Sequence, residues 1–171
     1  MTSRALLAPA ILGLVLAVPL AASAQSVRLL GDFNAWSSYA TAQGAGAVCF
    51  ALTKPTEVEP EPEGYTQGYL YVTHRPAEGV RNEVNLVAGF DFAPDSMATV
   101  SVGGETFSLF TQADAAWLDD PAESENLASA IRAGSALTVE ATSAAGIRVT
   151  ETFSLSGATA ASQAIGSECT G

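Results

Sequence analysis

The chain has 171 residues, with 18 Asp and Glu against 7 Lys and Arg, and a formal net charge of −11. A surface of that sign repels nucleic acid and anionic lipid, and no basic cluster offsets it, which argues against nucleic-acid binding. With 2 cysteines and 1 histidine, a histidine-based metal site would have to recruit carboxylates alone, a rare arrangement for zinc.

In chain order, residues 1–24 read as a signal peptide. Arg4 supplies the positive start, Ala5 to Val18 the apolar run, and Ala22-Ser23-Ala24 a small-residue cleavage site, so the cut is predicted between Ala24 and Gln25. The run falls short of the ~20 apolar residues a spanning helix needs. Nothing after Gln25 approaches that length, so no membrane span is expected once the signal is removed. Loss of Arg4 leaves residues 25–171, suited to a single domain, at a net charge of about −12. Both cysteines lie in this exported part, so a Cys49–Cys169 disulfide is predicted. That pairing would leave no thiol nucleophile.

An opening hairpin is predicted from a strand at 35–41, a turn at Gly44-Ala45-Gly46 and a second strand at 47–53 carrying Cys49. The segment Lys54 to Gly64, with three prolines and alternating Glu57, Glu59, Glu61 and Glu63, reads as an extended solvated loop. Gly68 to Thr73 and Asn82 to Phe92 read as strands. The first sets Leu70 and Val72 against Tyr69 and Tyr71; a turn at 74–79 separates the two. Gly103-Gly104 is a two-residue turn signal that pairs Val102 with Glu105, Val100 with Phe107 and Ala98 with Leu109. This register puts the apolar residues of both strands on one face.

Asp120-Pro121-Ala122-Glu123 has the cap, the N1 proline and the early acid of a helix start, with Leu127, Ala130 and Ile131 as its buried stripe and Gly134 at its end. Leu137, Val139 and Ala141 begin a strand that turns through 143–146 into Ile147 to Leu155. A short helix carrying Ala158, Ala161, Ala164 and Ile165 then leads to Cys169. Seven or eight short strands in hairpin order, with two short helices near the C-terminus, predict a mainly β fold: an antiparallel β-sandwich of immunoglobulin-like or jelly-roll-like form.

Four segments, AVCFAL around Cys49, RPAEGVRNEV at 75–84, FTQADAAWLDD at 110–120 and TETFSLSGATAA with the final cysteine, make the chain resemble the invasion-associated locus B proteins of alphaproteobacteria. The resemblance implies an exported, compact, β-sandwich-like and disulfide-containing protein, periplasmic or secreted by a Gram-negative bacterium, and implies neither an enzymatic activity nor a cofactor. Members often carry a further cysteine soon after the early tryptophan; Trp36-Ser37-Ser38-Tyr39 has none.

Possible chemistry is sparse. His74 would have to be the base of any Ser–His–acid triad, yet no G-x-S-x-G setting exists, and a turn histidine explains it. The acidic group Asp119, Asp120, Glu123 and Glu125 suits a helix N-terminus. Glu151 shares the parity of Val149 and Phe153, which points it inward; a bulge turning it outward, or an ion pair with Arg81 or Arg148, is expected to relieve it. Arg75 and Arg81, close together around a turn of an acidic chain, either balance the charge of Glu78 and Glu83 or form a small basic spot that receives an acidic group, and are the candidate partner-binding residues. The expected function is that of an exported, non-enzymatic envelope or interaction protein with a protein partner and no cofactor or metal. A periplasmic hydrolase, or an inhibitor of an envelope enzyme, is the alternative.

Overall fold

Alternating apolar and polar residues, broken by Gly, Pro, Asn and Asp, fold this chain mainly into strands. The computed structural model describes residues 26–43 and 46–170; the signal segment and its Ala24–Gln25 junction lie outside the described residues. The strands are β1 (Val27–Phe33), β2 (Trp36–Gln43), β3 (Gly46–Thr53), β4 (Pro55–Glu59), β5 (Tyr69–Arg75), β6 (Val80–Val87), β7 (Met97–Val102), β8 (Glu105–Gln112), β9 (Ala115–Trp117), β10 (Ala136–Thr142) and β11 (Arg148–Ser154). Helix α1 (Pro121–Ala133) separates β9 from β10, and α2 (Ala158–Glu168) follows β11. Among the described residues no helix is long and apolar enough to cross a membrane.

The mainly β, antiparallel character and the two late helices agree with the sequence; the sandwich does not appear. In place of two stacked sheets, the strands form one sheet in the order β1-β2-β3-β5-β6-β9-β8-β7-β10-β11-β4, curled into a half-barrel. The curl follows from connectivity. Only Lys54 separates β3 from β4, yet β3 is third from one edge and β4 forms the opposite edge. The chain bends out of one end of the sheet and into the other, drawing the two ends together. Trp36 Nε1 donates to the Ser154 carbonyl at 3.1 Å, and the Ala35 N–H to that of Ser156 at 3.1 Å, across the same closure.

Three strands escaped the sequence reading. β1 was hidden in a mixed stretch. β4 lies inside the supposed proline-rich loop, on the edge position where proline is tolerated, paired with β11. β9 is only three residues long. The strand expected to reach Phe92 stops at Val87. The Gly103-Gly104 hairpin has the expected register, with φ of 60° and 88° at its glycines.

The inner face of the curl holds the core, in which Trp36, Leu70, Leu86, Leu109, Leu137 and Phe153 are fully buried. The two helices pack against it, α1 on β6 and α2 on β1–β3. Asp120 caps α1, its side chain accepting from the Ala122 N–H at 2.8 Å. Gly134 ends that helix without a left-handed turn; a Cβ there would stand 2.9 Å from Leu155 and from Val102, so close packing is what selects glycine. Small residues let α2 lie close: Ala158 and Ala161 are buried, and Ser38 Oγ donates to the Ala161 carbonyl at 3.0 Å. Beyond its last turn, Cys169 Sγ stands 2.12 Å from Cys49 Sγ on the inner face of β3, with the two Cα atoms 6.0 Å apart. The disulfide ties the end of the chain to the opening hairpin.

Candidate functional site

The turn between β5 and β6 brings His74, Arg75 and Arg81 to one end of the sheet. Their positions are set by a bulge: Thr73 pairs with Glu83 and Arg75 with Val80, leaving His74 opposite two residues. Asn82, at φ 51°, turns its N–H away from the ladder, and His74 Nδ1 accepts it at 3.2 Å. His74 is 3 % exposed, and burial, reinforced by the charge of Arg81, holds its pKa below the ordinary value. An imidazole whose Nδ1 must stay unprotonated to bond the backbone is a structural group; it lies buried in β5, which runs on to Arg75, and not in the turn that the sequence suggested from residue 74.

Arg75 is engaged by its own hairpin. Its guanidinium makes two parallel bonds to Glu83, at 2.5 and 2.9 Å, and a third to Glu78 at 2.9 Å. The bond to Glu83 is the main cause of a raised pKa. Arg81 is exposed near the start of β6, just past the turn. Beside them, Asn82 Nδ2 donates to Glu125 Oε2 at 2.5 Å, and Arg132 to Glu125 Oε1 at 3.1 Å, joining the turn to α1.

The outer face of the sheet has a different character. Directly opposed residues form an unbroken row across seven strands: Ser37, Leu52, Tyr71, Asn85, Trp117, Phe110 and Met97. A neighbouring row adds Tyr39 and Phe50, whose rings stack at 5.3 Å, and Phe50 in turn meets Tyr71 at 6.2 Å. Tyr69 lies 5.9 Å from Tyr71 and carries Lys54 Nζ 5.7 Å from its centroid. Cross-strand aromatic pairs contribute ~0.2–1 kcal/mol each to the sheet, which accounts for part of this content. It does not account for Phe110 and Met97, 46 % and 41 % exposed at the end of the row. Burial of the ring raises the pKa of Tyr71, keeping its phenol neutral. The row itself carries no charge; the Arg75–Glu83 pair lies at its border, since Glu83 follows Thr73 in the row of Tyr39 and Phe50.

Glu151 departs from both expected escapes. Its pairing with Val139 is regular, with no bulge to turn it, and it points inward at 1 % exposure. Neither carboxylate oxygen has a hydrogen-bond partner among the described residues. Desolvation pushes its pKa up to about 8. A Cβ on Gly68 would stand 2.8 Å from Glu151 Oε1 and 3.1 Å from Tyr65 Oη, so glycine leaves room for both groups. The Tyr65 hydroxyl accepts the Gly68 N–H at 3.0 Å, holding the 60–68 segment over the carboxyl.

In comparison with known proteins, the sequence model of the family described as "Invasion associated locus B (IalB) protein" matches residues 36–166. No curated protein and no solved structure matches the chain.

Proposed function

The chain belongs to the invasion associated locus B family, and from that premise we propose that it is an exported protein acting in the periplasm or outside the cell by binding a protein partner rather than by turnover. The signal-like start, the Cys49–Cys169 pair and the absence of a long apolar helix among the described residues support the compartment. The observation that carries the binding reading is the uncharged outer row from Leu52 to Met97, ending in exposed Phe110 and Met97. Arg75 and Arg81 rim this surface and orient a partner, with apolar contact supplied by the row. Against turnover stands the use of the only histidine, His74, as a buried backbone acceptor.

The test is capture from the organism's own envelope extract by the protein, by Met97→Ser/Phe110→Ser and by Arg75→Ala/Arg81→Ala, with melting temperature measured alongside. The double serine variant should lose capture while remaining folded, and the arginine variant should weaken it. Undiminished capture by the serine variant would refute the assignment.

A further inference from the structure

The sheet has a gap. β9 pairs with β6 only at Asn85–Val87 and with β8 only at Phe110–Gln112, yet β6 begins at Val80 and β8 at Glu105. Past the end of β9 the two strands continue, among the described residues, with no strand between them. On the β6 side α1 closes the opening, its buried Ser124 Oγ accepting the Val84 N–H at 2.9 Å and donating to the Asn82 carbonyl at 3.1 Å. On the β8 side a groove of about 860 Å³ remains, with Thr106 and Phe107 along one wall and Asn126, Ser129, Ala130 and Ala133 of α1 along the other.

Backbone direction in β8 follows from its two turns. Two-residue loops, Gly103-Gly104 and Ala113-Asp114, make Val102↔Glu105 and Gln112↔Ala115 hydrogen-bonded pairs. Glu105, Phe107 and Leu109 therefore bond to β7, and Phe110 and Gln112 to β9. Thr106 and Ser108 belong to the second set, so their N–H and C=O groups face the β9 side of the strand, Thr106 within the groove itself, and among the described residues no strand lies beside them. The far edge of the sheet is guarded by Pro55, Glu57 and Glu59. The Thr106–Ser108 stretch has no proline, lysine or bulge, and Thr106 and Ser108 are exposed.

We propose that this groove binds an extended peptide segment by strand addition to β8, in line with β9 and against α1. Main-chain donors and acceptors at strand spacing specify a polypeptide. The small side chains of Ala130 and Ala133 leave depth beside Phe107 for alternate apolar residues of the guest. The groove lining contains Glu105 and no cation, and the chain carries −11 overall, so the guest is uncharged or basic, not acidic. This site is separate from the outer aromatic row and stands without it.

The experiment pans displayed random decapeptides on the immobilised protein, on Ala133→Trp, on Thr106→Pro and on Ile147→Ser, an exposed apolar position outside the groove. Ala133 is exposed, so tryptophan fills the groove from solvent; proline at Thr106 removes only an N–H that β7 does not use. Enriched peptides should alternate apolar residues and lack Asp and Glu. Their affinity should fall roughly tenfold or more on each groove variant and stay unchanged on Ile147→Ser. Bound peptide should slow amide exchange at Thr106 and Ser108. No enrichment, or equal capture by Ala133→Trp, would overturn the proposal. Protection of those two amides by rising protein concentration alone would also overturn it, assigning the groove to a second copy.

Discussion

Glu151 makes the pH dependence of stability calculable. Folded, its carboxyl holds its proton up to about pH 8, against an ordinary value of 4.5. Between these values the unfolded chain has released the proton and the folded chain has not. The native state binds more protons, and stability must therefore fall as pH rises. The loss is ~1.4 kcal/mol per pH unit, or about 3–4 kcal/mol between pH 5 and pH 8, a large part of the 5–15 kcal/mol typical of a domain. Replacing the carboxyl by an amide removes the titration and leaves the shape. Urea unfolding of the protein and of Glu151→Gln at pH 5, 6, 7 and 8 should give stabilities whose difference changes by that amount in favour of the variant. Taking the difference cancels His74, which titrates in the same window with the opposite sign, and Tyr65 stays neutral throughout because its pKa is raised from 10.0. Glu151→Leu should exceed the parent in stability at pH 8, because a buried unpaired carboxyl is replaced by a hydrocarbon of similar size. A difference that does not vary with pH would refute the buried, unpartnered placement of Glu151.

By NMR, His74 should titrate with a midpoint below 6.5, and His74 ionisation should destabilise the fold as pH falls through that region, since the lowered folded pKa makes the unfolded state the better proton acceptor there. Replacing Gly103 and Gly104 by valine forces positive φ at both sites and should cost ~1–2 kcal/mol per residue, read from thermal denaturation. Removing the disulfide as Cys49→Ser/Cys169→Ser reopens a chain segment of 120 residues and should cost on the order of 4 kcal/mol in urea unfolding.

How much of this was legible in the sequence depended on whether the signal was local. The Gly103-Gly104 hairpin and the α1 cap were, because turn chemistry and capping are written in adjacent residues. The half-barrel was not: the decisive step is the passage from β3 to β4 through Lys54, and the prolines that place β4 at an edge also make it look like a loop. Glu151 had the right parity for burial, but the expectation of relief by a bulge was wrong. Its room comes from Gly68, distant in sequence and invisible to periodicity. The outer row was half visible in the alternation of Tyr69 and Tyr71 with Leu70 and Val72. Trp117 and Phe110 joined it only through β9, too short to show a period, though the Ala113-Asp114 turn offered a local signal. Arg75 was found by its charge; its capture by Glu83 depends on the bulge at His74.

The central claim is that the outer row touches the partner, and a photo-crosslinking side chain placed at position 110 tests it most directly. Installed there in the exported protein and irradiated in intact cells, it should give a discrete covalent adduct that the same probe at exposed Ser101, which lies off the row, does not give. The Met97→Ser change should abolish that adduct. No adduct from position 110, or an equal one from position 101, would contradict the account.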